Sequence, residues 1–154
     1  MTPEQNLAQL SLTLPPPFQD EANRVRALRS GQHVYMSGHG PLGAGNVPMA
    51  VGKLGREMTI EQGAAAARLT GLCCLSTLRT YLGDLDQVAR VVRVLGFINC
   101  APGFNQPSDV LNGFSDLMIE IFGEAGRHTR SAIGVAELYA DMPIEVEALF
   151  ELHG

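Results

Sequence analysis

Two stretches decide the reading of this chain: His128-Thr-Arg-Ser-Ala-Ile-Gly-Val-Ala-Glu-Leu138 and Ile144-Glu-Val-Glu-Ala-Leu-Phe-Glu-Leu152. The short connection Tyr139 to Pro143 joins them. Two apolar runs around a proline-containing turn predict two neighbouring antiparallel strands. Along the second, Ile144, Val146, Ala148, Phe150 and Leu152 share one face, while Glu145, Glu147, Leu149 and Glu151 share the other. Along the first, Ala132, Gly134 and Ala136 form a stripe of small residues suited to close packing. Arg130 opens the first strand, where its guanidinium can reach into a cleft and grip a carboxylate through two parallel hydrogen bonds. Glu145 follows the turn and is placed to hold a water or a proton beside that carboxylate. The competing reading is an ordinary surface ion pair.

Upstream, Thr59 followed by Gln62 is a capping box. It heads a helix in which Ile60, Ala64, Ala67, Gly71, Cys74, Leu78 and Leu82 recur at spacings of three or four, and Gly83 stops it. Val88 to Asn99 is β-branched and apolar, a strand. Ser108 is positioned to cap a second helix from Asp109 to about Gly123, with Val110, Phe114, Leu117 and Ile121 inward. Arg24 to Leu28 and Gln32 to Ser37 flank Ser30-Gly31 as a β-hairpin, with Val34 and Met36 on one face and His33, Tyr35 and Ser37 on the other. The element order is strand, strand, helix, strand, helix, strand, strand. It predicts an α+β fold, a mixed sheet with two helices on one face. The Gly-rich segment from Gly40 to Gly55 is expected to be the mobile loop. Residues 1–18 read as an N-terminal extension, a short helix after Thr2 and then the stiff run Pro15-Pro-Pro17, ahead of a single domain over 19–154.

With 45% hydrophobic and 18% charged residues, the composition is that of a globular domain with a core. A net charge of −5 without a Lys/Arg-rich stretch argues against nucleic acid as a partner. No apolar run is long enough to span a membrane and no secretory signal is evident, so the cytoplasm is the expected location. Cys73, Cys74 and Cys100 lack zinc-ligand spacing and read as reduced packing residues; no metal site is expected.

The segment Thr129 to Phe150 resembles the C-terminal strand pair of the YjgF/YER057c/UK114 (Rid, reactive-intermediate deaminase) family. The resemblance rests on Arg130-Ser131, Ala136-Glu137-Leu138 and Ile144-Glu145-Val146-Glu147-Ala148, and extends more loosely from Val25 to Leu152. It implies a chorismate-mutase-like fold, a homotrimer that encloses the bare sheet faces, and a cleft at each subunit boundary. It further implies that Arg130 binds the carboxylate of a small 2-imino or 2-keto acid, that Glu145 positions water, and that Ser37, Gly38 and Asn112 line the cleft. His39, next to Ser37-Gly38, joins the expected substrate-binding set, the alternative for it and for His128 being loop histidines with backbone partners. The implied reaction is hydrolysis of an enamine or imine to a keto acid and ammonia, which needs no cofactor. The chain departs from the family pattern at Ala132, where a cysteine is common, at Phe18, where a tyrosine is common, and at His128-Thr129 and His39. Those departures keep open a non-catalytic carboxylate-binding or regulatory protein, and more remotely an endoribonuclease.

Overall fold

The computed structural model describes residues 1–154. Its longest helix, α2 (Ile60–Leu82), starts where the capping box places it: Gln62 N donates to Thr59 Oγ1 at 3.2 Å and Thr59 N to Gln62 Oε1 at 2.9 Å. Gly83, at φ 97°, ends it. Helix α3 (Pro107–Phe122) lies against α2 so closely that a methyl group on Gly113 would sit 1.9 Å from the Ala64 carbonyl oxygen. Only glycine permits that approach. The two helices cover one face of a five-stranded sheet: β1 (Ala27–Ser30), β2 (His33–Met36), β3 (Val88–Asn99), β4 (Thr129–Val135) and β5 (Ile144–Leu152), in the order β1-β2-β5-β3-β4. All pairs are antiparallel except β3 with β4. This is the expected α+β architecture, and the apolar face of β5 is the one beneath the helices.

The last two strands differ from expectation in one respect that matters for the site. They are not neighbours, because β3 lies between them. A 12-residue, β-branched strand buried on one face is best satisfied with a partner on each side, whereas β4, with its small residues, suits an edge. Strand β4 follows helix α3 as a crossover and so runs parallel to β3. Residues 136–143 then bridge the end of β3. Cys100 N donates to Val135 O (3.0 Å), Asn99 N to Pro143 O (2.9 Å), and the buried Asn99 side chain to Met142 O (3.1 Å).

Helix α3 also begins earlier than expected. Gln106 is its N-cap, Pro107 takes the first turn where its missing N–H costs nothing, and Ser108 lies inside the helix with its hydroxyl turned to Arg130. The core between helices and sheet is filled by Leu75, Leu78, Val94, Ile98, Phe114, Leu117 and Phe150, all fully buried. The N-terminal residues form helix α1 (Pro3–Gln9), with its own capping box at Thr2. Leu7 is buried, Asn6 Nδ2 donates to Ile121 O (2.8 Å), and Glu4 pairs with Arg79 (3.0 Å). The Gly40–Gly55 segment is anchored at its far end by Leu54, fully buried and bonded through its backbone to Asn99 and Ala101. No helix is long and apolar enough to cross a membrane.

Candidate functional site

Val94 on β3 faces the helices and is flanked by Arg130 on β4 and Ala148 on β5. The side chain of Arg130 therefore points to the helix side of the sheet, at its edge, and meets α3. Its Nη2 donates to Ser108 Oγ (2.9 Å), Ser108 O (3.1 Å) and Asn112 Oδ1 (2.7 Å), and its Nη1 to Ser115 Oγ (2.8 Å). Ser108, Asn112 and Ser115 stand at i, i+4 and i+7, one stripe of the helix. Every acceptor is neutral, and no carboxylate lies within salt-bridge distance. The guanidinium is thus held in one orientation with its charge uncompensated, and its Nε–H and one Nη1 hydrogen lack a protein acceptor. Beside it is a shallow concavity of about 280 Å³ that also takes in His128 and Asp116. His128 donates Nδ1–H to Gly126 O (2.6 Å) and its Nε2 meets Ser115 Oγ (3.0 Å). Burial, and to a lesser degree the charge of Arg130, keep His128 below the usual histidine range.

Phe97, three residues along β3 from Val94, faces the other way and is flanked by Ile133 and Glu145. Glu145 consequently lies on the sheet face that no helix covers. There it lines the largest cavity, about 670 Å³, together with Ser37, Gly38, Glu147 and Tyr139. Gly38 approaches so closely that a methyl group there would fall 2.9 Å from the Glu145 carboxyl carbon. The carboxylate accepts no hydrogen bond from the protein. Burial first, and then the charge of Glu147, push it above the ordinary carboxylate range, while Arg24 and Arg26 pull in the opposite direction.

Within one chain the expected site residues therefore form two groups on opposite faces of the sheet: Arg130 with Asn112, and Glu145 with Ser37 and Gly38. His39 belongs to neither. Its ring is fully buried and stacked on Phe18 at 4.6 Å. Nδ1 lies 2.7 Å from Ser37 O, and Nε2 lies 3.0 Å from Thr77 Oγ1. A carbonyl can only accept, so Nδ1 carries the proton, and the unprotonated Nε2 faces the Thr77 hydroxyl, which also has Cys73 O at 3.2 Å as an acceptor. Burial lowers the histidine to about 4, so the ring is neutral. The placement of His39 among substrate-binding residues gives way to a structural role beneath the Ser37-Gly38 segment.

Residues 12–150 match the family described as "YjgF/chorismate mutase-like, putative endoribonuclease". The chain belongs to the YjgF family. Its similarity to the Trypanosoma cruzi protein TCP17 is 42% identity over 96% of this chain and 92% of that one. Crystal structures that share its architecture include two at higher than 25% identity. One is a protein described as a putative endoribonuclease from Shewanella oneidensis (30% identity, TM-score 0.92, covering 99% of this chain and 100% of that one). The other is a protein of unknown function from Agrobacterium tumefaciens (33% identity, TM-score 0.87, covering 98% and 92%).

In this YjgF-family chain the cavity around Glu145 contains residues that the sequence reading passed over. Glu21, Arg24 and Arg26 line it, beside Phe18, the position noted in the sequence as a departure from the family's tyrosine. Glu21 Oε1 accepts from Arg24 Nη2 (2.6 Å) and Arg26 Nη2 (2.7 Å), and the Arg26 guanidinium lies 5.4 Å over the Phe18 ring. The pattern Arg24-Val25-Arg26 carries a signal: in extended backbone, residues two apart point to the same side. No group of three or more metal-ligating side chains is gathered anywhere in the chain.

Proposed function

We propose that this protein is an enamine/imine deaminase for small 2-imino acids, working as a homotrimer in which Arg130 of one subunit and Glu145 of its neighbour meet across a boundary. The observation that carries this reading is the Arg130 guanidinium, oriented by four contacts to neutral acceptors and left without a counter-ion. An organic carboxylate supplies the missing charge. The separation of the two groups onto opposite sheet faces is what a site shared between subunits requires, and the uncovered face carries apolar side chains, among them Tyr35 and Ile133, for a neighbour to cover.

In the proposed reaction the substrate carboxylate lies on Arg130, fixing the imine carbon in the cleft. The ionised Glu145 takes a proton from water as the water oxygen adds to that carbon. The proton passes from Glu145 to nitrogen; the carbinolamine hydroxyl then gives its own proton to the freed Glu145 carboxylate as the C–N bond breaks, so that ammonia leaves and the keto acid remains. The Ser37-Gly38 backbone lines the same space at no side-chain cost.

The test is to release 2-aminoacrylate with a dehydratase and follow keto-acid formation. Arg130→Ala and Glu145→Gln should each abolish the acceleration; equal rates in wild type and Arg130→Ala would remove the catalytic claim. When the two inactive variants are co-expressed and assemble at random, about a quarter of the clefts receive both native groups and about that fraction of activity returns. No recovery would mean that the two groups do not meet across a boundary. A second reading, carboxylate binding without turnover, is favoured by Ala132 in place of the cysteine common in the deaminases. Calorimetric binding of keto acids in the absence of any deaminase activity would select it.

A further inference from the structure

The Glu145 cavity is cationic at one end. Glu21 is a single carboxylate shared by two arginines, both through the same oxygen, so the trio carries one net positive charge. The geometry is built by the chain and is not a chance surface contact. Glu21 and Arg24 close a tight turn through reciprocal backbone bonds (2.9 and 3.3 Å). Arg26, with only 12% of its side chain exposed, is fixed by Phe18 beneath it and by Nε donation to Gln19 O at 3.0 Å. Nη1 of both arginines, and Nε of Arg24, have no acceptor in the protein. A volume of about 670 Å³ falls within the range of roughly 300–1,000 Å³ that houses ligands far larger than a three-carbon acid.

We propose that Arg24 and Arg26 form a second anion subsite in the Glu145 cavity, so that the preferred substrate is a 2-imino acid carrying a second carboxylate. This rests on the deaminase reading above. There Arg130 of the adjoining subunit holds the carboxylate next to the imine, and the Arg24–Arg26 pair receives the distal one. Planar guanidinium donors suit a carboxylate as a forked acceptor. Two further carboxylates line the cavity: Glu145, the proposed base, and Glu147, which is exposed, where water screens it. Glu21 is then an internal stand-in that the ligand's carboxylate competes with.

Binding of unreactive keto acids tests this without turnover. The probes are 2-oxobutanoate, with one carboxylate, and 2-oxoglutarate, with two, measured by calorimetry on the full-length protein. Wild type should bind the dicarboxylate at least tenfold more tightly. Arg24→Ala, whose side chain is 55% exposed and makes its one ion pair with Glu21, should remove about tenfold of that ratio without affecting folding. Glu21→Gln should move the ratio the other way, because it removes the competing acceptor; a purely structural role for Glu21 does not predict a gain. Equal affinities for the two probes in wild type, or a ratio unchanged in both variants, would overturn the proposal. Arg130→Ala separates it from the reading beneath it. If Arg130→Ala leaves 2-oxobutanoate binding intact while the two Arg24 and Glu21 effects persist, the Arg130 assignment fails and the second subsite stands.

Discussion

Arg130 and Glu145 occupy opposite faces of one sheet, and they are held in opposite ways. The guanidinium is fastened by four hydrogen bonds to one stripe of α3, a helix whose other side is buried in the core. The carboxylate accepts none, and its position is set by the close packing of Gly38. The contrast separates two tasks. A binding group benefits from rigid orientation, because the ordering cost is met on folding. A group that exchanges protons benefits from having no fixed donor, since a donor would lock it in its charged form.

The largest effect should come from breaking the rigid side. Arg130→Ala removes the carboxylate grip and is expected to lower kcat/KM for an imino acid about 10³-fold, roughly 4 kcal/mol. Arg130→Lys should recover little, because a lysine offers no fork to match Ser108, Asn112 and Ser115 together with a ligand. Thermal unfolding should change little, since the arginine lies at the sheet edge. Wild-type kinetics in Arg130→Lys would show that orientation is not what the α3 stripe supplies.

The floor of the Glu145 side depends on a neutral histidine. His39 sits at about 4 in the folded chain against 6.5 for a free imidazole. Between these values the unfolded chain binds a proton that the folded chain refuses, so stability is fully present above pH 6.5 and is lost as pH falls toward 4. The span corresponds to about 3 kcal/mol. Urea unfolding at pH 7 and pH 4.5 should reveal this slope in wild type, and His39→Phe should flatten it. An identical slope in both would mean that the imidazole is not the source.

Gly38 offers a subtler break. Gly38→Ala places a methyl group against the Glu145 carboxyl and forces the carboxylate aside by a few tenths of an ångström or more. We expect about a tenfold fall in kcat, on the order of 1.4 kcal/mol, with keto-acid binding affected less. Equal losses in kcat and in binding would place Gly38 in ligand contact rather than behind Glu145.

The sheet faces, the capping box of α2 and the inward stripe of α3 were legible because periodicity and capping boxes are local properties of a sequence, whereas the cap expected at Ser108 gave way to Gln106. The adjacency of β4 and β5 was not. Two strands joined by a short connection ordinarily pair, and only the need of β3 for two neighbours separates them. The same limit explains the site. Arg130 and Asn112 were recognisable by their resemblance to the family, and the structure brings them to 2.7 Å. His39 was misplaced because a histidine beside Ser-Gly looks like a loop residue until Phe18 and Thr77, from 21 residues before it and 38 after, are seen to enclose it. Arg24 and Arg26 precede the first strand, and nothing local to them reveals that Glu145, more than a hundred residues later, shares their cavity.

The smallest expected effect is also the most specific to the reactive side. Glu147 raises Glu145 by like-charge repulsion, whereas Arg24 and Arg26 lower it. If Glu145 must be ionised to take a proton from water, kcat/KM rises with pH through its elevated ionisation. Glu147→Gln then shifts this acidic limb to lower pH, and Arg24→Gln shifts it to higher pH. Neither substitution removes any of the α3 contacts that hold Arg130. Opposite displacements in the two pH profiles are therefore a signature of the carboxylate alone. Displacements of the same sign would mean that the limb belongs to another group.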